Sequence, residues 1–238
     1  VYTQTGDLRF INNVFAPNTS LESYDVRKMI ATNALISNPV GSKGEDRKNA
    51  TGRTYDRFAQ NYIFYRLTDV MLMKAEALTQ LAASDEDVQL RQAFNLVQAV
   101  NSRSLYSGNL ATDSLKFSYY KTRSSVETLV LQERLRELCF EGKRWYDLVR
   151  YNYRKVEGID YSKTLYQQQA EGKEFVRNNT DFLNLVTRKY TSGGAAAAAK
   201  MRTEPYLYLP VNQSDIDVND NLHQNPAYNA DDEYKKNY

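Results

Sequence analysis

The clearest pattern of apolar and polar residues in the chain lies between Ser124 and Tyr151. Apolar residues recur there at steps of three and four, as they do along one face of an α-helix. They are Leu131, Leu135, Leu138, Trp145 and Leu148. Ser124 followed by Glu127 is typical of a capping box at a helix start, and Gly142 predicts an interruption or a kink. The pattern predicts a helix whose apolar stripe faces a core and whose opposite face is charged.

A second helical pattern covers about Tyr62 to Leu81. One apolar stripe follows the helical spacing, and further apolar residues beside it widen the face. The stripe is Phe64, Leu67, Met71, Ala75 and Leu78, and the residues beside it are Ile63, Val70 and Ala77. This breadth predicts a helix that is buried on most sides. We expect Glu76 to form an ion pair with Arg66 or with a helix in contact, and Asp69 to pair with Arg66 on the same helix.

The next helix is predicted to begin at a capping-type pair, Ser84 and Asp87, and to run to about Ser102. Only Ala82 to Ser84 separate it from the helix before. A linker this short predicts an antiparallel helical hairpin, the unit that stacks in tetratricopeptide (TPR) arrays. The predicted fold class is therefore mostly α, built on TPR-like helical hairpins with irregular loops and minor short strands.

The rest of the chain shows no sustained period. Residues 1–60 are rich in glycine, proline and polar residues and are predicted to form loops, of which 38–53 is the best candidate for a mobile surface loop. After Tyr151 we predict a short strand or helical turn at Phe182 to Val186, and a short extended run at Tyr206 to Leu209. The chain is thus divided into a loop-rich segment (1–60), a helical core (61–151) and an irregular C-terminal part of the same domain (152–238).

Composition and charge argue against several functions. The 31 basic and 29 acidic residues leave a net charge of +2, which gives no global field to attract nucleic acid or an anionic membrane. No apolar run approaches the roughly 20 residues of a membrane-spanning helix. The glycine-rich loops that bind nucleotide phosphates are absent. The 19 tyrosines suit either a half-wet recognition surface or loops packed against a core.

Residues suited to catalysis or metal binding are sparse. The one pairing of a thiol with an imidazole is Cys139 with His223, and a Cys within a helix is typical of a small core residue. Oxygen ligands for Ca²⁺ occur together in one loop, at Asp215, Asp217, Asn219 and Asp220. Val218 and the lack of a twelfth-position Glu argue against an EF-hand there. We predict no catalytic residue, no metal ligand and no cofactor, with Ca²⁺ as the alternative.

Three separated blocks of the chain are FYRLTDVMLMKAEAL (64–78), ERLRELCFEGKRWYDLVR (133–150) and YLYLPVNQSDIDVNDNLHQNPAY (206–228). In this order they resemble the SusD/RagB family of nutrient-binding outer-membrane lipoproteins. FYRLTDVMLMKAEAL (64–78) resembles the family's R-ADVLLM-AEA helix, with Thr68 where Ala is usual, and Asn101 and Arg103 resemble the ending of the following helix. ERLRELCFEGKRWYDLVR (133–150) resembles its ERR-EL-FEG-RW-DL-R signature. Residues 206–228 resemble its closing yPIP-sEid-NpnL-QNPGY block, with Leu209, Asp215 and Ala227 replacing the usual Ile, Glu and Gly.

The resemblance implies a nutrient-binding protein, not an enzyme, on the outer face of the outer membrane. Its ligand would be an oligosaccharide, delivered to a SusC-like TonB-dependent barrel. Because family members carry a signal, a lipidated Cys and further helices before the matching region, the chain is expected to be a C-terminal portion, attached to the membrane only through an N-terminal lipid that these residues lack. The alternatives are a peptide-binding member, a TPR-like protein-interaction scaffold, or a carbohydrate-active or peptide-cleaving enzyme.

The candidate ligand-binding residues lie in the loop-rich segment, which would contribute to the ligand face. Aromatic rings stack on the apolar faces of sugars, while polar and charged groups bind the hydroxyls. The candidates are Phe15, Tyr24, Arg27, Tyr55 and Arg57. For each of them the alternative is an ordinary loop residue packed on the helices. Trp145, on the helical stripe, is predicted to be a core anchor rather than a sugar platform.

Overall fold

A computed structural model describes residues 7–15, 25–26, 28, 63–105, 110–154, 171, 180–187, 190–202 and 204–228. The chain forms two compact units, Val1–Arg144 and Trp145–Tyr238, and each is described by itself. The fold is mostly helical, as the sequence predicts. The division into residues 1–60, 61–151 and 152–238 of one domain stays a prediction.

The first unit contains helices joined by loops and one pair of very short strands. Its helices are α1 (Leu8–Asn13), α2 (Leu67–Leu81), α3 (Val88–Arg103), α4 (Leu110–Asp113) and α5 (Arg123–Glu137), with a 3-10 turn at Phe117–Tyr119. Strands β1 (Val14–Phe15) and β2 (Asp25–Val26) pair antiparallel, with Val14 opposite Val26 and Phe15 opposite Asp25. Asp7 and Leu105 form an isolated antiparallel bridge, which joins the residue before α1 to the chain after α3.

Helices α2, α3 and α5 pack together around the apolar core of this unit. The predicted hairpin is confirmed in α2 and α3, and the side chain of Asp87 caps α3 by accepting a hydrogen bond from the backbone N–H of Gln89 at 2.9 Å. Fully or almost fully buried residues from all three helices form the core; among them are Leu72, Ala75, Leu90, Phe94, Val97, Val126 and Leu129. Burial of such side chains contributes about 1.5 to 3 kcal/mol each.

Helix α5 differs from its prediction in its start, its end and its buried face. Thr122, not Ser124, is the N-cap, because its hydroxyl accepts from the N–H of Ser125 while the Ser125 hydroxyl accepts from the N–H of Thr122. The helix ends at Glu137, and Gly142 lies in the predicted interruption with a φ of 70°. The predicted leucine stripe is only partly right: Leu138 is buried, but Leu131 and Leu135 are partly exposed.

The buried face of α5 instead combines apolar and charged side chains. It consists of Val126, Glu127, Leu129, Val130, Glu133, Arg134 and Glu137. These positions also recur at steps of three and four, so the helical period is as predicted while the face that packs is rotated. The physical reason is that the charged residues find partners, which are described below.

Helix α2 was predicted to begin near Tyr62 and to be buried on most sides, and both points are wrong. It begins at Leu67, after the extended backbone of Arg66. The side that packs on α3 and α5 carries Thr68, Leu72, Ala75 and Thr79, all buried. Leu67 is 76% exposed and Phe64, before the helix, is 72% exposed. The apolar breadth therefore lies partly on a face that the core does not cover.

The second unit is built from short helices and turns. It contains α6 (Arg144–Tyr153, whose first residue closes the first unit), α7 (Thr180–Thr187), α8 (Gly194–Met201) and α9 (Gln213–Ile216), with 3-10 turns at Glu204–Leu207 and Pro226–Tyr228. The segment predicted as a strand or helical turn at Phe182 to Val186 is helical. The extended run predicted from Tyr206 is wrong, because Tyr206 and Leu207 complete a 3-10 turn.

Trp145 connects three of these pieces. Its indole N–H donates to the carbonyl of Leu207 at 2.8 Å, and its ring centroid lies 6.2 Å from that of Phe182, which is fully buried. A Trp that satisfies its N–H while its ring packs on an aromatic neighbour behaves as an anchor. Among all the described residues, no helix has the length and apolarity that crossing a membrane requires.

We expect Trp145→Ala to lower the free energy of unfolding by about 3 kcal/mol, because it removes both the ring packing and the hydrogen bond to Leu207. Urea titrations followed by circular dichroism would measure the change. Tyr146→Ala is the matched control, since that neighbouring side chain is 56% exposed. If the two variants unfold at the same urea concentration, Trp145 is not an anchor.

Candidate functional site

Three carboxylates spaced four residues apart form the centre of the most extensive polar structure in the described residues. Glu133 and Glu137 lie on the buried face of α5, and Glu141 lies in the turn that follows. Their side chains are 0%, 3% and 1% exposed. Isolated carboxylates are costly to bury, so each must be paired with cations or hydrogen-bond donors.

Glu137 is the hub, because cations from four separate parts of the chain converge on it. Arg66 and Arg103 donate to its Oε1 at 2.6 and 2.7 Å, and Arg9 donates to its Oε2 at 3.2 Å. Its backbone carbonyl accepts from Arg66 at 2.7 Å and from Lys28 Nζ at 2.8 Å. The last carbonyls of a helix have no partner within the helix, so these cations also complete the end of α5.

Glu133 joins α5 to α1 and α3. Arg9 on α1 donates to Oε1 at 2.6 Å, while Asn101 on α3 and Arg136 donate to Oε2 at 3.1 and 2.7 Å. Arg9 also forms a 2.7 Å ion pair with Asp7. The guanidinium of Arg9 thus lies among three carboxylates, those of Asp7, Glu133 and Glu137.

Glu141 is directed back toward α2 by an unusual turn. Arg66 donates to its carboxylate from Nε and Nη2, the latter at 2.7 Å, and Lys28 Nζ lies 2.5 Å from its Oε1. The residues on either side, Phe140 and Gly142, have left-handed backbones with φ of 67° and 70°. A left-handed backbone at a bulky residue such as Phe is uncommon and costs free energy, so the surrounding contacts must hold it in place.

A smaller group of ion pairs links α2 to α5 on the same buried side. Arg134 Nη1 lies 3.0 Å from Asp69 Oδ1, Arg134 Nε lies 3.9 Å from Glu76, and Lys143 lies 3.5 Å from Asp69. Of the two alternatives predicted for Glu76, the pair with a helix in contact is confirmed. The predicted pair of Asp69 with Arg66 is wrong: Arg66 precedes the helix in an extended conformation and binds Glu137 and Glu141 instead.

These contacts explain why Glu137 and Glu141 are ionised. Burial alone would raise the pKa of Glu137, but hydrogen bonding and charge from Arg66, followed by those from Arg103, lower it to about 2. Burial likewise opposes the ionised form of Glu141, and Arg66 and Lys28 hold its pKa below the usual range. Acids that stay ionised at neutral pH and are occupied by cations are poor proton donors. The arrangement is therefore suited to holding segments together rather than to general acid catalysis.

The structure brings together residues that the sequence places far apart. Most polar residues in the network come from the first two blocks of family resemblance and from the helix ending between them; they are Arg66, Asp69, Asn101, Arg103, Glu133, Arg134, Arg136, Glu137 and Glu141. Sequence reasoning missed Arg9 and Lys28, which lie outside those blocks. Their signal was weak, because a lone cation in a loop-rich segment is ordinarily exposed.

The structure does not test the candidate ligand-binding residues. The backbone of Phe15 lies in β1, opposite Asp25 of β2. The side chain of Phe15, and the whole of Tyr24, Arg27, Tyr55 and Arg57, lie outside the described residues, so their role stays a prediction. The same holds for the predicted mobile loop at 38–53.

In and beside the loop considered for Ca²⁺, polar side chains form hydrogen bonds with residues nearby in the sequence. Asn212 caps α9 by accepting from the N–H of Ser214 at 3.1 Å, Asp217 accepts from Gln213 at 2.9 Å, and Asn219 accepts from the N–H of Asn221 at 3.1 Å. Within the described ranges, no three His, Cys, Asp or Glu side chains are grouped so that they could hold a metal ion.

Comparisons with known proteins agree with the resemblance. A family model described as the SusD family matches residues 18–228. SusD-like protein P38 of Formosa agariphila is 29% identical over 147 residues, which are 62% of this chain and 24% of that protein. SusD-like protein P2 of the same organism is 28% identical over 135 residues, 56% of this chain and 24% of that protein. The matched stretch thus spans about a quarter of each relative. No solved structure matches the chain.

We expect the free energy of unfolding to fall as the pH is lowered from about 4.5 toward 2, by roughly 3 kcal/mol from Glu137 alone. The sign follows because the folded-state pKa is below the unfolded one, so the stabilisation is complete above pH 4.5 and lost as Glu137 protonates. Glu137→Gln should lower stability at pH 7 and flatten the acid limb in thermal melts.

Glu86→Gln is the control for this measurement, because Glu86 is exposed and lies outside the network. It should leave both the neutral-pH stability and the acid limb as they are in the wild type. An acid limb of the same steepness in Glu137→Gln and Glu86→Gln would contradict the central role of Glu137.

Proposed function

The chain belongs to the SusD family, and from that premise we propose that it is part of a cell-surface protein that captures an oligosaccharide. The captured ligand passes to a SusC-like TonB-dependent barrel in the outer membrane. The protein is held at the extracellular face by an N-terminal lipid. It binds and releases its ligand without breaking a bond.

The observation that best supports this proposal is the buried ion-pair network around Glu137. Within the first unit, charged residues of the first two family-like blocks bind one another and Arg9, at distances of 2.6 to 3.2 Å around Glu137. A motif used in this way builds a scaffold. Ligand recognition then falls to the loops that the scaffold carries, which is how binding proteins combine one fold with many ligands.

The capture mechanism follows from the residue types in the loop-rich segment. Phe15, Tyr24 and Tyr55 offer rings for the apolar faces of pyranoses, and Arg27 and Arg57 offer donors for the hydroxyls. Each stacked ring removes apolar surface from water, and each guanidinium compensates the hydrogen bonds that a sugar loses on leaving water. A peptide ligand could use the same groups, so peptide capture is the alternative within the family.

A protein-interaction scaffold is the second candidate function, and one observation favours it. The outward side of α2 carries apolar residues that the core leaves uncovered; Leu67, Val70 and Leu81 are 76%, 49% and 68% exposed. A row of this kind suits contact with another protein surface. The scaffold hypothesis differs from capture in predicting a protein partner without a bound oligomer.

Purification of the full-length protein from native membranes in mild detergent tests both functions at once. Mass spectrometry of the purified material should identify a large β-barrel protein together with a bound oligosaccharide. A bound peptide would identify the alternative ligand class. A protein partner with neither a barrel nor a bound oligomer would contradict capture and favour the scaffold.

We expect simultaneous replacement of Phe15, Tyr24, Arg27, Tyr55 and Arg57 by Ala to weaken binding of the co-purified ligand at least tenfold while leaving the melting temperature nearly unchanged. Isothermal titration calorimetry would measure the affinity. Tyr119→Ala with Tyr190→Ala is the control, since both rings are exposed, at 74% and 49%, and lie outside the loop-rich segment. An affinity equal to that of the control would place the ligand site elsewhere.

A further inference from the structure

Two cations, one on each side of the paired strands, bind the same helix end. Arg9 lies on α1, directly before β1, and its Nη1 donates to Glu137 Oε2 at 3.2 Å and to Glu133 at 2.6 Å. Lys28 lies two residues after β2, and its Nζ donates to the carbonyl oxygen of Glu137 at 2.8 Å. The chain therefore leaves the end of α5 at Arg9 and returns to it at Lys28.

The two attachments differ in the contacts that the described residues show. The Arg9 side is fixed several times over, because Arg9 also pairs with Asp7, and Leu8 N–H donates to the carbonyl of Ser104 at 2.8 Å. On the return side, the described contacts with α5 and its following turn are those of Lys28 alone: the hydrogen bond to Glu137 and the 2.5 Å ion pair with Glu141. The Lys28 side chain is only 18% exposed, so these bonds are largely shielded from water.

We propose that Lys28 is a positioning residue for ligand capture. By fixing the chain just after β2 to the end of α5, it holds the β1–β2 pair in one place and so sets the position of Phe15 on β1. Two strands of two residues each are too short to be stable by themselves, so an external attachment must fix them. This inference rests on the proposed function, since it assigns Lys28 a role in binding the same ligand.

Loss of Lys28 should loosen the strands without unfolding the unit. Glu141 keeps Arg66, which donates to it from Nε and Nη2, and Glu137 keeps Arg9, Arg66 and Arg103. No hub acid is therefore left buried without a cation. The apolar core of α2, α3 and α5 lies elsewhere and is unaffected.

Arg103 supplies the matched control. It also forms a 2.7 Å ion pair with Glu137, but it comes from α3, which the apolar core already holds, and its side chain is 58% exposed. Arg103→Met and Lys28→Met thus each remove one cation from the same cluster. Only the second removes an attachment of the strand pair.

The experiment combines two measurements on the full chain. Hydrogen–deuterium exchange with mass spectrometry would follow peptides covering residues 10–27 in the wild type, Lys28→Met, Lys28→Arg and Arg103→Met. Calorimetry would measure binding of six-unit maltooligosaccharide, xylooligosaccharide and mannooligosaccharide probes and of a tryptic peptide pool. We expect Lys28→Met to raise exchange in these peptides and to weaken binding of the recognised probe about tenfold. Lys28→Arg should restore most of both, and Arg103→Met should change neither by more than about twofold.

The outcomes separate the two proposals. Faster exchange with unchanged affinity would overturn the positioning role while capture stands, because the wild type still binds. Unchanged exchange in Lys28→Met would show that Lys28 does not fix the β1–β2 pair, and would overturn the positioning role. If the wild type binds none of these probes, the proposed function fails for these ligands and Lys28 has no role in capturing them. The exchange data then report only on the attachment of the strands.

Discussion

The first unit depends on the pairing of carboxylates that are excluded from water at the end of α5. Glu137 cannot remain ionised in that position unless cations approach its carboxylate, and those cations come from α1, from the residue before α2 and from the end of α3. Because the charge must be compensated, these three segments must meet at one point, and Lys28 joins them through the backbone carbonyl of Glu137. The apolar core brings the helices together, and the ion pairs determine how the connecting chain crosses their ends.

The energetic consequence is one of specificity more than of gross stability. Burying several charges together costs desolvation free energy that the ion pairs only partly offset, and an apolar replacement can be as stable. What the charges add is a geometric requirement, because a guanidinium satisfies two carboxylates only at particular distances and angles. Arg66 meets this requirement by pairing with both Glu137 and Glu141. A shift of α2 along α5 would therefore break several bonds at once.

Much of the fold could be predicted from the sequence, because helical spacing and capping are local signals. The hairpin of α2 and α3 and the cap at Asp87 follow from residues that are close in the chain. The buried face of α5 could not be predicted in the same way. The rule that charged residues face water assigns Glu133 and Glu137 to the outside, whereas their partner Arg9 is more than a hundred residues away in sequence. From the sequence, only the family resemblance drew attention to the residues of this buried cluster. The resemblance includes Glu133, Glu137 and Glu141 but not Arg9 or Lys28. The five candidate ligand residues stay predictions for a related reason: the side chains of a loop-rich segment obey no local period.

The turn after α5 shows what the Phe140–Gly142 triplet does in the structure. Phe140 and Gly142 both have left-handed backbones, and Glu141 between them reaches Arg66 and Lys28. The left-handed main chain on either side thus accompanies the return of that carboxylate to Arg66 and Lys28. In the Phe-Glu-Gly triplet, Phe140 and Gly142 turn the chain, and Glu141 binds it to Arg66 and Lys28. Wherever the triplet closes a helix in this manner, its three residues specify how the chain turns at the helix end.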